Sequence, residues 1–154
     1  MDIGSHTLCQ TICDKLLNTY TSKLCVLAVG LSSNLVAMLL ADMKPDKRRP
    51  INFIVANRDN DIHSLRLALS DSRSFYDHSV SNTKKHRHKN YTKGGIFLVT
   101  NMKFSLDVLE ELIDPSLVDK VLLVNEYSVG EYNPLALAVN ILKRANEVDC
   151  MVKA

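Results

Sequence analysis

The densest chemistry in the sequence is the run Lys84-Lys85-His86-Arg87-His88-Lys89-Asn90-Tyr91-Thr92-Lys93. A lysine or arginine set beside a phosphate releases condensed counterions, and a tyrosine can stack on an unpaired base. Lys84, Lys85, Arg87, Lys89, Tyr91 and Lys93 are therefore the candidate contacts to nucleic acid. The plainer alternative is a solvated loop whose charges keep the protein soluble. His86 and His88 alternate as in some metal sites, but no nearby Cys or carboxylate completes a ligand set, so no metal is expected. Lys44, Lys47, Arg48 and Arg49 form a second, smaller basic cluster, and the sequence leaves open whether it joins the first.

Two further segments occupy positions where nucleotide chemistry is usually done. A phosphate-binding loop needs several glycines with converging N–H groups, a lysine for the β and γ phosphates, and a hydroxyl for magnesium. The turn Gly30-Leu31-Ser32-Ser33-Asn34 offers one glycine and no close lysine, and reads instead as a strand-to-helix turn with Ser32, Ser33 or Asn34 as cap. In Val124-Asn125-Glu126-Tyr127, a hydrolase would place an Asp for magnesium beside the Glu. Here Asn125 precedes Glu126, so the carboxylate has no metal-holding neighbour. No catalytic residue is assigned, and no cofactor is expected.

These segments must be carried by alternating strands and helices. Leu8, Cys9, Ile12, Cys13, Leu16 and Leu17 recur at helical spacing between His6 and Leu17. The apolar run Lys23 to Val29 reads as a strand covered on both faces, followed after Gly30 by a helix through Leu35, Val36, Met38, Leu39 and Leu40. Ile51 to Ala56 is a second buried strand, with Asp61 capping a helix through Leu65, Leu67 and Leu69. The polar stretch at about 71–93 reads as a long surface loop. Ile96 to Thr100 is a third strand, followed by a helix through Phe104, Leu106, Val108, Leu109, Leu112 and Ile113 that Asp114 and Pro115 end. Val121 to Val124 is the fourth strand. Pro134 suits the first turn of a last helix, and Cys150 to Val152 a short fifth strand. The pattern implies an α/β fold, a mainly parallel sheet with helices on both faces, in one domain over 1–154.

Composition narrows the setting. With 154 residues, 46% hydrophobic and 23% charged, the chain can bury a core of its own. The net charge of +2 is small, so the position of the charge matters more than its sum. Cys9, Cys13, Cys25 and Cys150 show neither zinc nor disulfide-framework spacing and read as buried thiols in a reducing compartment. No basic segment followed by an apolar stretch opens the chain, and no apolar run is long enough to span a bilayer, so a nuclear or cytoplasmic protein is expected.

Tyr91-Thr92-Lys93-Gly94-Gly95-Ile96-Phe97-Leu98-Val99-Thr100, then Leu106-Asp107-Val108-Leu109 and Val121-Leu122-Leu123-Val124, resembles the helicase-like N-terminal region of the XPF family of structure-specific DNA repair endonucleases. Leu16 to Thr19, Cys25 to Leu31, Ile51 to Asn57, Ala136 to Arg144 and Met151 to Ala154 follow in the family's order. The resemblance implies a RecA-like, three-layer helicase lobe whose ATP-binding loop has decayed. It also implies DNA, branched or single-stranded, and a repair or meiotic protein as partners in the nucleus, without a membrane. The sequence departs from the family at Asn101-Met102, where a Ser-Arg pair follows the threonine, and in lacking a His-Arg pair after the fourth strand.

The family's nuclease centre, a Glu-Arg-Lys-x-x-x-Asp metal site, and its tandem helix-hairpin-helix grips have no counterpart here. A complete chain of this kind would not cut DNA by that mechanism, and a fragment would be the first helicase-like lobe of a larger enzyme. Two alternatives differ in class. One is a protein-interaction domain using exposed apolar positions near Phe75, Tyr76 and Tyr132. The other is an ATPase with an atypical phosphate loop.

Overall fold

The computed structural model describes residues 47–70, 74–80, 82–124 and 133–146. The expected N-terminal helix, first strand and following helix, the Cys150 to Val152 strand, the turn Gly30 to Asn34 and the pair Asn125-Glu126 lie outside the described residues. Within them the order is β1 (Ile51–Val55), α1 (Asp59–Leu69), β2 (Phe75–Asp77), α2 (Lys84–Lys93), β3 (Gly95–Val99), α3 (Asn101–Leu109), a 3-10 turn (Pro115–Leu117), β4 (Val118–Leu123) and α4 (Pro134–Asn146).

The four strands form one sheet in the order β2-β3-β1-β4, and every pairing is parallel. Parallel neighbours need crossovers, and side chains alternate between the faces of a strand, so each face requires its own cover. Ile51, Phe53 and Val55 pack with Phe97, Val99, Val121 and Leu123 on the face covered by α2, α3 and α4, through Tyr91, Phe104, Val108, Leu135 and Leu142. Ile54 and Ala56 pack with Ile96, Leu98 and Leu122 on the other face, under Leu65 and Leu69 of α1. The result is the expected α/β arrangement of helices on both faces of a parallel sheet. No helix of the described residues is long and apolar enough to cross a membrane.

Element boundaries move where local chemistry overrides the apolar pattern. The stretch at about 71–93 is not a loop: it contains β2 and the whole of α2. Helix α1 begins at Asp59, two residues before Asp61, which sits in its acidic first turn rather than at the cap. Helix α3 stops at Leu109, short of Asp114. Glu111 takes a positive φ of 58°, Leu112 N donates to Asp107 O at 2.9 Å, and Glu111 N donates to Val108 O at 3.2 Å, a Schellman ending. Asp114 instead caps the 3-10 turn, accepting from Ser116 N at 3.0 Å. Strand β4 starts at Val118, three residues ahead of the expected Val121, and Thr100 leaves β3 to cap α3.

The join between α2 and β3 is the tightest point of the frame. Gly94 (φ 74°) and Gly95 (φ 141°) both occupy backbone regions that side chains disfavour. A Cβ at Gly94 would lie 2.6 Å from Cβ of Pro50, and one at Gly95 would collide with the Ser74 carbonyl oxygen. Gly95→Ala is expected to destabilise the protein by about 1–3 kcal/mol or more, read as a lowered urea midpoint. The exposed Thr92→Ala should leave it nearly unchanged. Equal midpoints for the two variants would show that the join tolerates a side chain.

Candidate nucleic-acid interface

Helix α2 is unusual in that its inward stripe is polar. Thr83 caps it, accepting from His86 N at 3.2 Å, and the helix ends at Gly94. Arg87, Asn90 and Tyr91, at i, i+3 and i+4, face the sheet, while Lys84, Lys85, His86, His88, Lys89, Thr92 and Lys93 are exposed.

Arg87 is held in a fork. Its Nε donates to Asp107 Oδ2 at 2.7 Å and its Nη2 to Asp107 Oδ1 at 2.8 Å, while Nη1 donates to the Asn82 carbonyl and side-chain oxygens, both at 3.1 Å. Tyr91 donates its hydroxyl to Asp107 Oδ2 at 2.6 Å. Asp107 is 0% exposed and Arg87 6%. Two-point charge-assisted pairing satisfies the hydrogen-bonding groups of both side chains inside the protein. The bonds to Asp107 raise the Arg87 pKa above its ordinary value, and burial, followed by the bond to Asp107, raises that of Tyr91. Removing one partner of such a pair typically costs about 3–5 kcal/mol.

His78 lies beside this network, 1% exposed, with its ring 5.2 Å from those of both Tyr91 and Phe97. Asn90 Nδ2 lies 3.2 Å from His78 Nε2 and 3.4 Å from His86 Nε2, and His78 Nδ1 finds no partner among the described residues. If Asn90 donates to it, Nε2 must be unprotonated, which fits a neutral ring. Burial, and then the Arg87 guanidinium, lower the His78 pKa from 6.5 to about 4, against a smaller opposing pull from Asp107.

Of the residues singled out in the sequence, Arg87 and Tyr91 are thus structural. Tyr91 cannot offer its ring to a base, nor Arg87 its charge to a phosphate, because both are occupied under the helix. Lys84 forms an exposed ion pair with Glu110. Lys85, Lys89 and Lys93 remain outward at i, i+4 and i+8, with no ion pair among the described residues. His86 and His88, two apart on a helix, point to different sides and do not converge. No group of three or more His, Cys, Asp or Glu is placed to hold a metal among the described residues.

At the carboxyl edge of the sheet, where ligands of such folds usually sit, several of the described polar side chains are bonded within the protein. Asn57 Oδ1 accepts from Asn101 N at 2.8 Å, and Asn101 Oδ1 from Ser105 Oγ at 3.1 Å. Lys103 Nζ donates to the carbonyls of His78 and Val80 at 2.8 and 2.5 Å. Met102, where the XPF pattern has arginine, is exposed and uncharged. Phe75 and Tyr76 are half-buried, Tyr76 stacking on Phe97 at 5.1 Å, so neither is the open apolar position expected of a docking surface. Sequence reasoning missed Asp107, Asn82, His78 and Asn90. The available signal was an Asp in the middle of the apolar helix segment Leu106 to Leu109, which calls for a buried cation.

No protein-family profile matches the chain, and no curated protein sequence does. Among solved structures it is similar to the helicase domain of Hef from Pyrococcus furiosus, with a TM-score of 0.77 at 15% identity over 95% of this chain. The chain spans 31% of that structure's length. The likeness establishes a helicase-like α/β fold.

Because folded His78 stays neutral down to about pH 4 while the unfolded chain takes up a proton near 6.5, its contribution is intact above about pH 6.5 and lost as pH falls towards 4. Wild type is expected to lose about 2–3 kcal/mol more than His78→Phe between pH 7 and 4.5, in paired urea unfolding curves. Parallel pH dependence in the two proteins would contradict this.

Proposed function

We propose that the chain is a helicase-like module that binds DNA through its phosphate backbone without hydrolysing ATP. The observation that carries this reading is the row Lys85, Lys89 and Lys93 on the outer face of α2. At 1.5 Å rise per residue, successive members stand about 6 Å apart, close to two nucleotide rises of roughly 3.4 Å along one strand. With Tyr91 turned inward, the row offers charge and no stacking platform. Contact is therefore to phosphates and independent of base sequence. The fold shared with a helicase domain and the XPF-like order of motifs support a place in DNA excision repair or recombination, in the nucleus. The lack of a lysine in Gly30 to Asn34 and of an Asp before Glu126 supports the inactive reading.

A second reading has an observation of its own. Met102, Leu106 and Leu109 are 73%, 43% and 40% exposed and lie at i, i+4 and i+7 along α3, an apolar stripe suited to a protein partner. A partner retained on the chain after nuclease treatment, and released by Leu106→Glu, would favour it.

The DNA reading is tested by fluorescence titration of a labelled forked DNA at several salt concentrations. Replacing Lys85, Lys89 and Lys93 by Gln should weaken binding at low salt and reduce the slope of log K against log salt by about 2.7 on the duplex arm. Adding ATP and magnesium should leave the melting temperature where it is. An unchanged slope and affinity in the triple variant would overturn the reading.

A further inference from the structure

The described part of the second basic cluster, Lys47 to Arg49, adjoins the contact at which α2 ends; Lys44 lies outside the described residues. Gly95 N donates to Pro50 O at 2.8 Å, and Gly94 packs directly on the Pro50 ring. Lys93 and Arg49 each stand one residue from this contact. With 3.8 Å between successive Cα atoms, their Cα positions are no more than roughly 13 Å apart, a gap that the two long side chains can span together. Lys47 and Arg48 are exposed and Arg49 is half-buried.

The direction of the elements makes the meeting useful. Helix α2 runs from the carboxyl end of β2 back to the amino end of β3, so its lysine row leads to the amino edge of the sheet. Lys47 to Arg49 enter β1 at that same edge, beside β3. The described carboxylates near the start of β4, on the other side of β1, are engaged: Asp114 with Ser116, and Asp119 with Lys120. Lys84 with Glu110 closes the far end of the row.

We infer that Lys47, Arg48 and Arg49 continue the α2 row around the amino edge of the sheet, so that one DNA backbone is followed over both. The path from Lys85 to the amino edge extends up to about 25 Å, some seven nucleotide rises. It leads away from the carboxyl edge, where Asn57, Asn101 and Lys103 are bonded within the protein. The inference rests on the DNA-binding reading above and assigns that surface its second half.

The test uses the whole 154-residue chain and a fluorescein-labelled 20-base-pair duplex of random sequence. With six phosphate contacts, the salt slope of the wild type should be near −5, against about −3 for the α2 row alone. Replacing Lys47, Arg48 and Arg49 by Gln should reduce the slope by nearly as much as replacing Lys85, Lys89 and Lys93. Should loss of the half-buried Arg49 disturb folding, K47Q/R48Q gives the same comparison at two contacts. A slope lowered by the α2 variant but unmoved by the amino-edge variant would overturn the inference and leave the DNA reading standing. Absence of binding by the wild type at low salt would overturn both. Displacement by polyglutamate at equal charge concentration would show a surface for acidic protein, which also overturns the inference.

Discussion

The buried pair Arg87–Asp107 is the constraint from which the rest of the outer layer follows. A guanidinium and a carboxylate removed from water are tolerated only when each satisfies the other and the remaining donors find acceptors. Asn82 and Tyr91 complete that satisfaction, so the pair fixes the roll of α2 about its own axis. Once Arg87 and Tyr91 point inward, helical geometry leaves Lys85, Lys89 and Lys93 no choice but the solvent side. The basic surface is thus a consequence of an ionic core, and a helix with almost no apolar residues is kept on the sheet by polar bonds.

Burial of this kind also explains the contrast between the two ends of α2. At its start, Thr83 supplies a cap and Asn82 an acceptor for Arg87. At its end, two glycines in strained backbone regions let the chain turn against Pro50 and enter β3 at once. The helix is anchored in the middle and at its exit, which brings Lys93 to the amino edge beside Arg49. At the opposite edge, among the described residues, polar side chains bond within the protein: Asn57 to Asn101, Ser105 to Asn101, Lys103 to two carbonyls.

Three of the four described strands and most of the core are legible in the sequence because continuous apolar runs such as Ile51 to Val55 and Ile96 to Val99 admit few other readings, whereas β2, three half-buried residues in a polar stretch, is not. The parallel sheet follows from their alternation with helices. Helix α2 is not legible by that signal, since Arg87, Asn90 and Tyr91 make a buried stripe that hydrophobic periodicity scores as solvent-facing. The same blind spot puts Arg87 and Tyr91 among the candidate contacts although both are buried, while Lys84, Lys85, Lys89 and Lys93 are exposed. The early end of α3 is hidden for a different reason: Glu111 adopts a left-handed conformation usually left to glycine or asparagine, and Ile113 stays buried after the helix has finished.

Amide hydrogen exchange on Asp107→Asn tests most directly whether an ionic core positions the basic helix. The account predicts that amides of α2 from Arg87 to Lys93 lose about a hundredfold or more of their protection, as a cost of some 3 kcal/mol implies, while those of β1 and β3 keep theirs. Protection of α2 equal to wild type, or lost to the same degree throughout the sheet, would contradict it.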